Sequence, residues 1–204
     1  MHPQLHQSTV LTTELIKAPM KYSLRRLICS SIATLTGLTL WGCSGPQVQR
    51  YANESPKLDM AEYFNGTIDA YGIFTDRKGE VVKRFKVIID AKWETKEGKK
   101  VGTLDEDFTY SDGTKQRRVW TLTETAPGVY SGTAGDVIGQ AEGTVAGNAL
   151  NWNYTLALPV DGTTYHVQFN DWMYLMDQKV MLNKAHMSKF GIYLGEVTLS
   201  FYKR

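Results

Sequence analysis

Four positions in this 204-residue chain carry side chains that could do chemistry where their surroundings are apolar: Cys43, Glu106, Arg118 and Asp171. Glu106 and Arg118 alternate with Leu104, Phe108, Trp120 and Leu122. A guanidinium presents its donors as a fixed fork that matches a carboxylate or phosphate. On a dry face the pair could therefore grip the head of an amphipathic ligand, with Trp120, Trp152, Tyr154 and Phe169 lining its tail. The same two residues could equally satisfy each other as a buried ion pair in a filled core. Asp171 could touch a ligand, or accept a hydrogen bond from a turn backbone or an indole N–H.

Cys43 poses a different question. The only other cysteine, Cys29, lies inside an apolar run, so no disulfide framework is available. His2, His6, His166 and His186 are scattered far from Cys43, so neither a metal nor a cofactor is expected. Lys21, Arg25 and Arg26 form a basic cluster, Leu27 to Leu40 is apolar, and small Gly42 precedes the cysteine. Leu40-Trp41-Gly42-Cys43 resembles the bacterial lipobox, in which cleavage precedes a cysteine whose sulfur carries diacylglycerol, although Trp41 stands where a small or β-branched residue is usual. Cys43 is thus the expected lipidation site and a membrane the expected partner. Ser44 is not the aspartate that retains many lipoproteins at the inner membrane, which implies the outer membrane and a periplasm-facing domain.

These assignments order the chain. Residues 1–19 read as an over-extended start ahead of Met20, 20–42 as a signal peptide, 43–58 as a lipidated cysteine and flexible tether, and 59–204 as the folded domain. Removing the first 42 residues leaves 162, enough for one domain. It also leaves 19 basic and 20 acidic residues, a net charge of −1 that gives no electrostatic footprint for nucleic acid. Nothing in the sequence points to a particular protein partner.

From Tyr63 onward the pattern has period two, broken by turn residues such as Asp112-Gly113, Pro127-Gly128, Gly147-Asn148 and Asp161-Gly162. Closing the first hairpin at Asp76 to Gly79 pairs Phe74 with Val81, Ala70 with Phe85, Ile68 with Val87 and Gly66 with Ile89. Asp69 then lies beside Lys86, and Tyr71 beside Arg84, on the wet side. A turn at Gly147-Asn148 sets Gly143 against Trp152, Ala141 against Tyr154 and Gly139 against Leu156. The Asp161-Gly162 turn continues the same dry face, opposing Leu158 to Tyr165, Leu156 to Val167, Tyr154 to Phe169 and Trp152 to Asp171. At the Asp112-Gly113 turn, a three- or five-residue loop opposes Phe108 to Arg118 and Glu106 to Trp120. A two- or four-residue loop instead puts Arg118 outside with Asp107. The first gathers Phe108, Tyr110 and Trp120 inside and is preferred.

About ten antiparallel strands joined mostly by short turns have one dry face to bury, and closure into a barrel removes their exposed edges. The expected fold is all-β: a single antiparallel up-and-down barrel able to hold a small ligand. Tyr63-Phe64-x-Gly66, Arg118-x-Trp120, Asp171-Trp172-Met173-Tyr174 and Met187-Ser188-Lys189-Phe190-Gly191 resemble an uncharacterised family of proteobacterial lipoproteins known as domain of unknown function 3833. That resemblance implies a lipocalin/calycin-like barrel on a lipid anchor, with genes often near enzymes that modify membrane fatty acids. It supplies no catalytic residues.

Weaker constellations point elsewhere. His166 is predicted on the outer face and His186 in a late strand or turn, and Ser188-Lys189 has no glycine elbow to support a hydrolase. Met173, Met176, Met181 and Met187 suit irregular packing or adaptable apolar surfaces. The leading functional expectation is a binding module for a fatty-acyl or similar lipid-like molecule. An adaptor lipoprotein with a filled barrel is the alternative, and no nucleophile–base pair suggests an enzyme. A continuous void bounded by Trp120, Trp152 and Phe169 separates the first from the second.

Overall fold

The structure is a computed structural model that describes residues 45–160 and 162–204. The leader and Cys43, on which the signal-peptide and lipidation expectations fall, lie outside the described residues. A 3₁₀ turn, Val48–Tyr51, and a single-turn helix, α1 (Met60–Tyr63), precede ten strands. These are β1 (Gly66–Asp76), β2 (Val81–Lys96), β3 (Lys99–Tyr110), β4 (Lys115–Ala126), β5 (Val129–Thr133), β6 (Ala141–Ala146), β7 (Ala149–Val160), β8 (Thr163–Leu175), β9 (Val180–Lys189) and β10 (Ile192–Lys203). Each pairs antiparallel with its chain neighbour, and β10 returns to β1, closing the barrel.

Alternation along the strands decides what fills it. Ile68, Ala70, Val87, Ile89, Leu104, Trp120, Leu122, Leu150, Trp152, Met181 and Phe201 point inward and are buried. They occupy the half of the barrel nearest α1. There Phe64 and Met60 are buried and the Trp93 indole N–H donates to Phe64 O at 2.7 Å. Asp59 caps α1 by accepting from the backbone of Ala61 at 2.8 Å and of Glu62 at 3.1 Å. Toward the opposite end, inward residues such as Phe74, Phe85, Phe108, Leu158 and Leu199 are only half-buried. One half of the barrel is a packed core and the other is open.

The β7–β8 register is the expected one, with Trp152 opposite Asp171 and Tyr154 opposite Phe169. The first hairpin differs by two residues: Ile68 faces Ile89, Ala70 faces Val87 and Gly66 faces Ala91. A bulge between Phe74 and Thr75 makes Val82 the extra residue. A shift of two preserves the faces, so Asp69 still reaches Lys86 at 3.3 Å although Tyr71 is now its direct partner. Gly143 faces Trp152 as expected, but β6 begins only at Ala141, and Val137 rather than Gly139 bridges to Leu156.

The stretch read as a loose tether is fixed over much of its length. Tyr51 packs on Trp172 and Tyr174, with ring centroids 6.0 and 5.3 Å away, and its hydroxyl lies 3.3 Å from that of Tyr174. Leu58 is buried, and its N–H donates to Gly147 O at 2.8 Å. The cause is the outer face of β8, whose aromatic pair needs cover at the closed end. Gly147 makes the approach possible, since its φ is +58° and a Cβ there would lie 1.7 Å from Tyr51 O.

Candidate functional site

A cavity of about 1120 Å³ runs through the barrel interior, from the open end inward to Met60, Phe64, Leu150 and Phe201 near α1. Phe85, Phe108, Leu156, Phe169, Met187 and Leu199 form part of its apolar wall. Trp120, Trp152 and Phe169 all line it, so it is the continuous void that distinguishes a container from a filled barrel. Trp152 can lie flat because Gly132 and Gly143 face it, their hypothetical Cβ atoms falling 2.7 and 2.2 Å from its ring. The predicted aromatic set forms one continuous contact. Trp120 meets Trp152 edge-on at 5.8 Å and Tyr154 at 5.4 Å, and Tyr154 stacks on Phe169 at 5.0 Å.

Polar residues collect at the depth where the inward side chains pass from half-buried, such as Phe85 and Phe108, to buried, such as Ile89 and Leu104, and they form the floor of the more accessible part of the cavity. Glu106 and Arg118 both face inward, but they oppose each other directly, with Leu104 opposite Trp120 and Phe108 opposite Gln116. The loop that sets this register is closed by Tyr110 N–H donating to Thr114 O at 2.9 Å, with Asp112 accepting from the Thr114 backbone at 3.0 Å. It shifts the pairing by two residues from the expected one and leaves the faces unchanged.

Arg118 is bound chiefly by a residue that periodicity alone does not reveal. Its Nε donates to Asp136 Oδ1 at 3.0 Å and its Nη2 to Asp136 Oδ2 at 2.7 Å, while Glu106 Oε2 is 3.9 Å from Nη1. Asp136 lies in the irregular segment between β5 and β6. That segment is held to β7 by Ile138 N–H donating to Thr155 O and Ala157 N–H donating to Asp136 O, each at 2.9 Å. The sequence signal is an acid between Gly135 and apolar Val137, in a stretch too glycine-rich to read as strand.

Asp171 and Asn183 complete the polar floor; both are buried and both line the cavity. Tyr154 donates to Asp171 Oδ2 at 3.3 Å, while Asp171 Oδ1 is buried and accepts no hydrogen bond from the protein. Asn183 donates to Trp172 O at 3.3 Å.

Burial sets the electrostatics. It pushes the Asp171 carboxyl up to about 7, with Glu106 adding to the rise and the Tyr154 hydroxyl, Arg118 and the nearby Asn183 amide opposing it. Burial likewise raises Glu106 to about 7, with Arg118 pulling the other way. Burial alone would weaken the charge on Arg118, but its bonds to Asp136 and the nearby Glu106 raise its pKa above the ordinary value. Tyr154 is pushed well above the usual phenol range, first by burial and then by Asp171. Near neutral pH the floor therefore carries one firm guanidinium and two carboxyl groups that share their protons with solvent.

The remaining candidates fall outside this cluster. His166 is exposed on the outer face, and His186 lies in β9 with its Nε2 3.7 Å from Glu196 Oε2. Met173 and Met187 line the cavity, Met181 is fully buried in the packed half, and Met176 is exposed. At the open end, Val81, Val82, Val160, Phe190 and Ile192 are exposed, with Phe190 86% accessible.

The chain belongs to the family described as Protein of unknown function (DUF3833), which matches residues 37–203. No curated protein matches it. Among solved structures the barrel is similar to the S-type phycobiliprotein lyase CPES from Guillardia theta. Identity is 8%, 78% of this chain and 98% of that chain are covered, and the TM-score is 0.54. A DUF3598-family protein of unknown function from Nostoc punctiforme is similar over 74% of this chain and 51% of that chain, with 10% identity and a TM-score of 0.45. A de novo designed fluorescence-activating β-barrel is similar over 72% of this chain and 99% of its own, with 12% identity and a TM-score of 0.38. At the first of these values the likeness is one of fold, a lipocalin/calycin-like barrel.

Proposed function

We propose that this chain is an outer-membrane lipoprotein, attached through Cys43 and facing the periplasm, whose barrel holds or hands over a small amphipathic molecule with a fatty-acyl or similar apolar tail. The observation that carries the proposal is the cavity of about 1120 Å³, walled by aromatic and aliphatic side chains with a few convergent polar groups at its floor. A barrel used only as a scaffold would bury more of Phe74, Phe85, Phe108, Leu158 and Leu199 than this one does. The anchor rests on the lipobox-like Leu40-Trp41-Gly42-Cys43 and the apolar run before it.

One experiment tests both halves. Native mass spectrometry of the protein purified from bacterial envelopes is expected to show a diacylglyceryl adduct on a chain beginning at Cys43 and a second, non-covalent mass released by organic extraction. An empty barrel would refute the carrier, and an unmodified chain retaining its leader would refute the anchor. The adaptor reading draws on Phe190 and Ile192, exposed at the open end; it gains if the empty protein instead captures an envelope protein that a Phe190→Ser variant loses.

A further inference from the structure

The geometry points to a specific head-group chemistry: the cavity floor is a receptor for a hydrogen-bond-donating or cationic head, an amine or a hydroxyl, and it disfavours a carboxylate or phosphate. This inference deepens the carrier reading and rests on it.

Arg118 is the cation of the floor, and the Nε–Nη2 side of its fork is already occupied. Nε and Nη2 both donate to Asp136, and Nη1 faces Glu106 at 3.9 Å. An anionic head would have to break that fork, or approach Arg118 from Nη1 against the carboxyl of Glu106, with its guanidinium charge already balanced by Asp136. The other two cations of the lining, Lys83 and Lys115, sit at the open end, where Lys83 pairs with Asp112 at 2.9 Å. With Arg118 and Asp136 both charged, the floor is negative whenever Glu106 or Asp171 ionises and neutral when both hold a proton.

Asp171 offers the complementary chemistry. Its side chain is more than nine-tenths buried and lines the cavity, with one oxygen taken by Tyr154 and the other, Oδ1, without a protein donor. A buried acceptor left without a donor is costly, and a ligand N–H or O–H supplies the missing bond once the carboxyl turns to present Oδ1, which is itself closed off from solvent, to the cavity. With the head on the floor, the tail rises between Phe108, Leu156, Phe169 and Met187 toward the open end. The reverse orientation, head at the rim, would press methylene groups onto the carboxyls and leave Oδ1 unpaired.

Three probes that share one tail isolate the head: dodecylamine, dodecanol and dodecanoate, titrated below their critical micelle concentrations into the purified protein at pH 7 by calorimetry. The amine and the alcohol are expected to bind about tenfold or more tightly than the carboxylate. Amine binding is also expected to release protons from the floor carboxyls, seen as a dependence of the measured heat on the buffer's ionisation enthalpy. Asp171→Asn should reduce the amine's advantage over the alcohol about tenfold and abolish part of the proton release. Dodecanoate binding as tightly as dodecylamine, or amine binding without proton release, would overturn the inference while leaving a carrier in place. Failure of all three to bind would sink the carrier reading itself, and this inference with it.

Discussion

Replacing Asp171 with asparagine should make the protein more stable at alkaline pH while changing little at acid pH. The folded-state value of about 7 lies above the ordinary 3.8, so the folded protein binds this proton more tightly than the unfolded chain does. Stability linked to Asp171 is therefore fully present below about pH 4 and is lost as pH rises through 7. A separation of roughly three pH units, at about 1.4 kcal/mol each, places the penalty by pH 8.5 at about 4 kcal/mol. Glu106, raised from 4.5 to about 7, acts with the same sign. Glu106 contributes to the rise of Asp171, so the penalties are not additive, and about 2 kcal/mol is the least that Asp171 alone should account for. At pH 5 the native Asp171 is a neutral acid, and asparagine replaces it with a neutral group of the same shape.

The assay is urea denaturation followed by tryptophan fluorescence, for wild type and Asp171→Asn, from pH 5 to 8.5. The variant's stability relative to wild type should climb by about 1–3 kcal/mol across that range, with most of the change between pH 5 and 7. Surface pairs do not confuse the reading. Asp69, for example, is held down to about 2 mainly by its hydrogen bonds from Arg204, so its linked stability is lost only as pH falls below about 4. Two curves that run parallel from pH 5 to 8.5 would refute the claim that Asp171 is an uncompensated buried acid.

Two further outcomes rest on the same geometry. Gly143→Ala places a methyl group 2.2 Å from the Trp152 ring, which should cost about 1–3 kcal/mol in thermal or urea denaturation and shift the tryptophan emission; an unchanged spectrum and midpoint would count against the packing described. Asp136→Asn frees the guanidinium of Arg118 to turn to Glu106, so the Glu106 carboxyl, followed by carbon NMR, should titrate below its present value of about 7, and a higher value would contradict the pairing.

The faces of the strands are legible in the sequence because period two survives any even shift of register. Glu106, Arg118, Trp120, Trp152, Tyr154, Phe169 and Asp171 gather on one interior by alternation alone. Direct partners are less legible, since the turn after Asp76 and the bulge at Phe74/Thr75 together move the first pairing by two residues, and the loop after Tyr110 moves another by two, without altering composition. Asp136 is invisible to alternation because it sits in an irregular crossing between β5 and β6, positioned by backbone bonds to β7. The segment before α1 reads as tether because it is mostly polar, yet Tyr51 and Leu58 suffice to fix it when Trp172 and Tyr174 present an apolar surface.

Asp136 matters chemically, because it reverses the sign of the site. Without it, Arg118 is a cation held by a single carboxylate and a natural seat for an acid head. With it, Arg118 is neutralised by a two-point fork, and Glu106 and Asp171 become the reactive surplus. A scaffold that needed only a packed interior would be more stable with aliphatic side chains at positions 106, 118, 136 and 171, since buried charges usually cost more than the apolar packing they displace. Their cost becomes intelligible if the last donor to the cluster arrives from outside. Asp171 Oδ1 is the atom at which that donor is missing, and Asp171 shares the cavity lining with the aromatic wall of Trp120, Trp152, Tyr154 and Phe169.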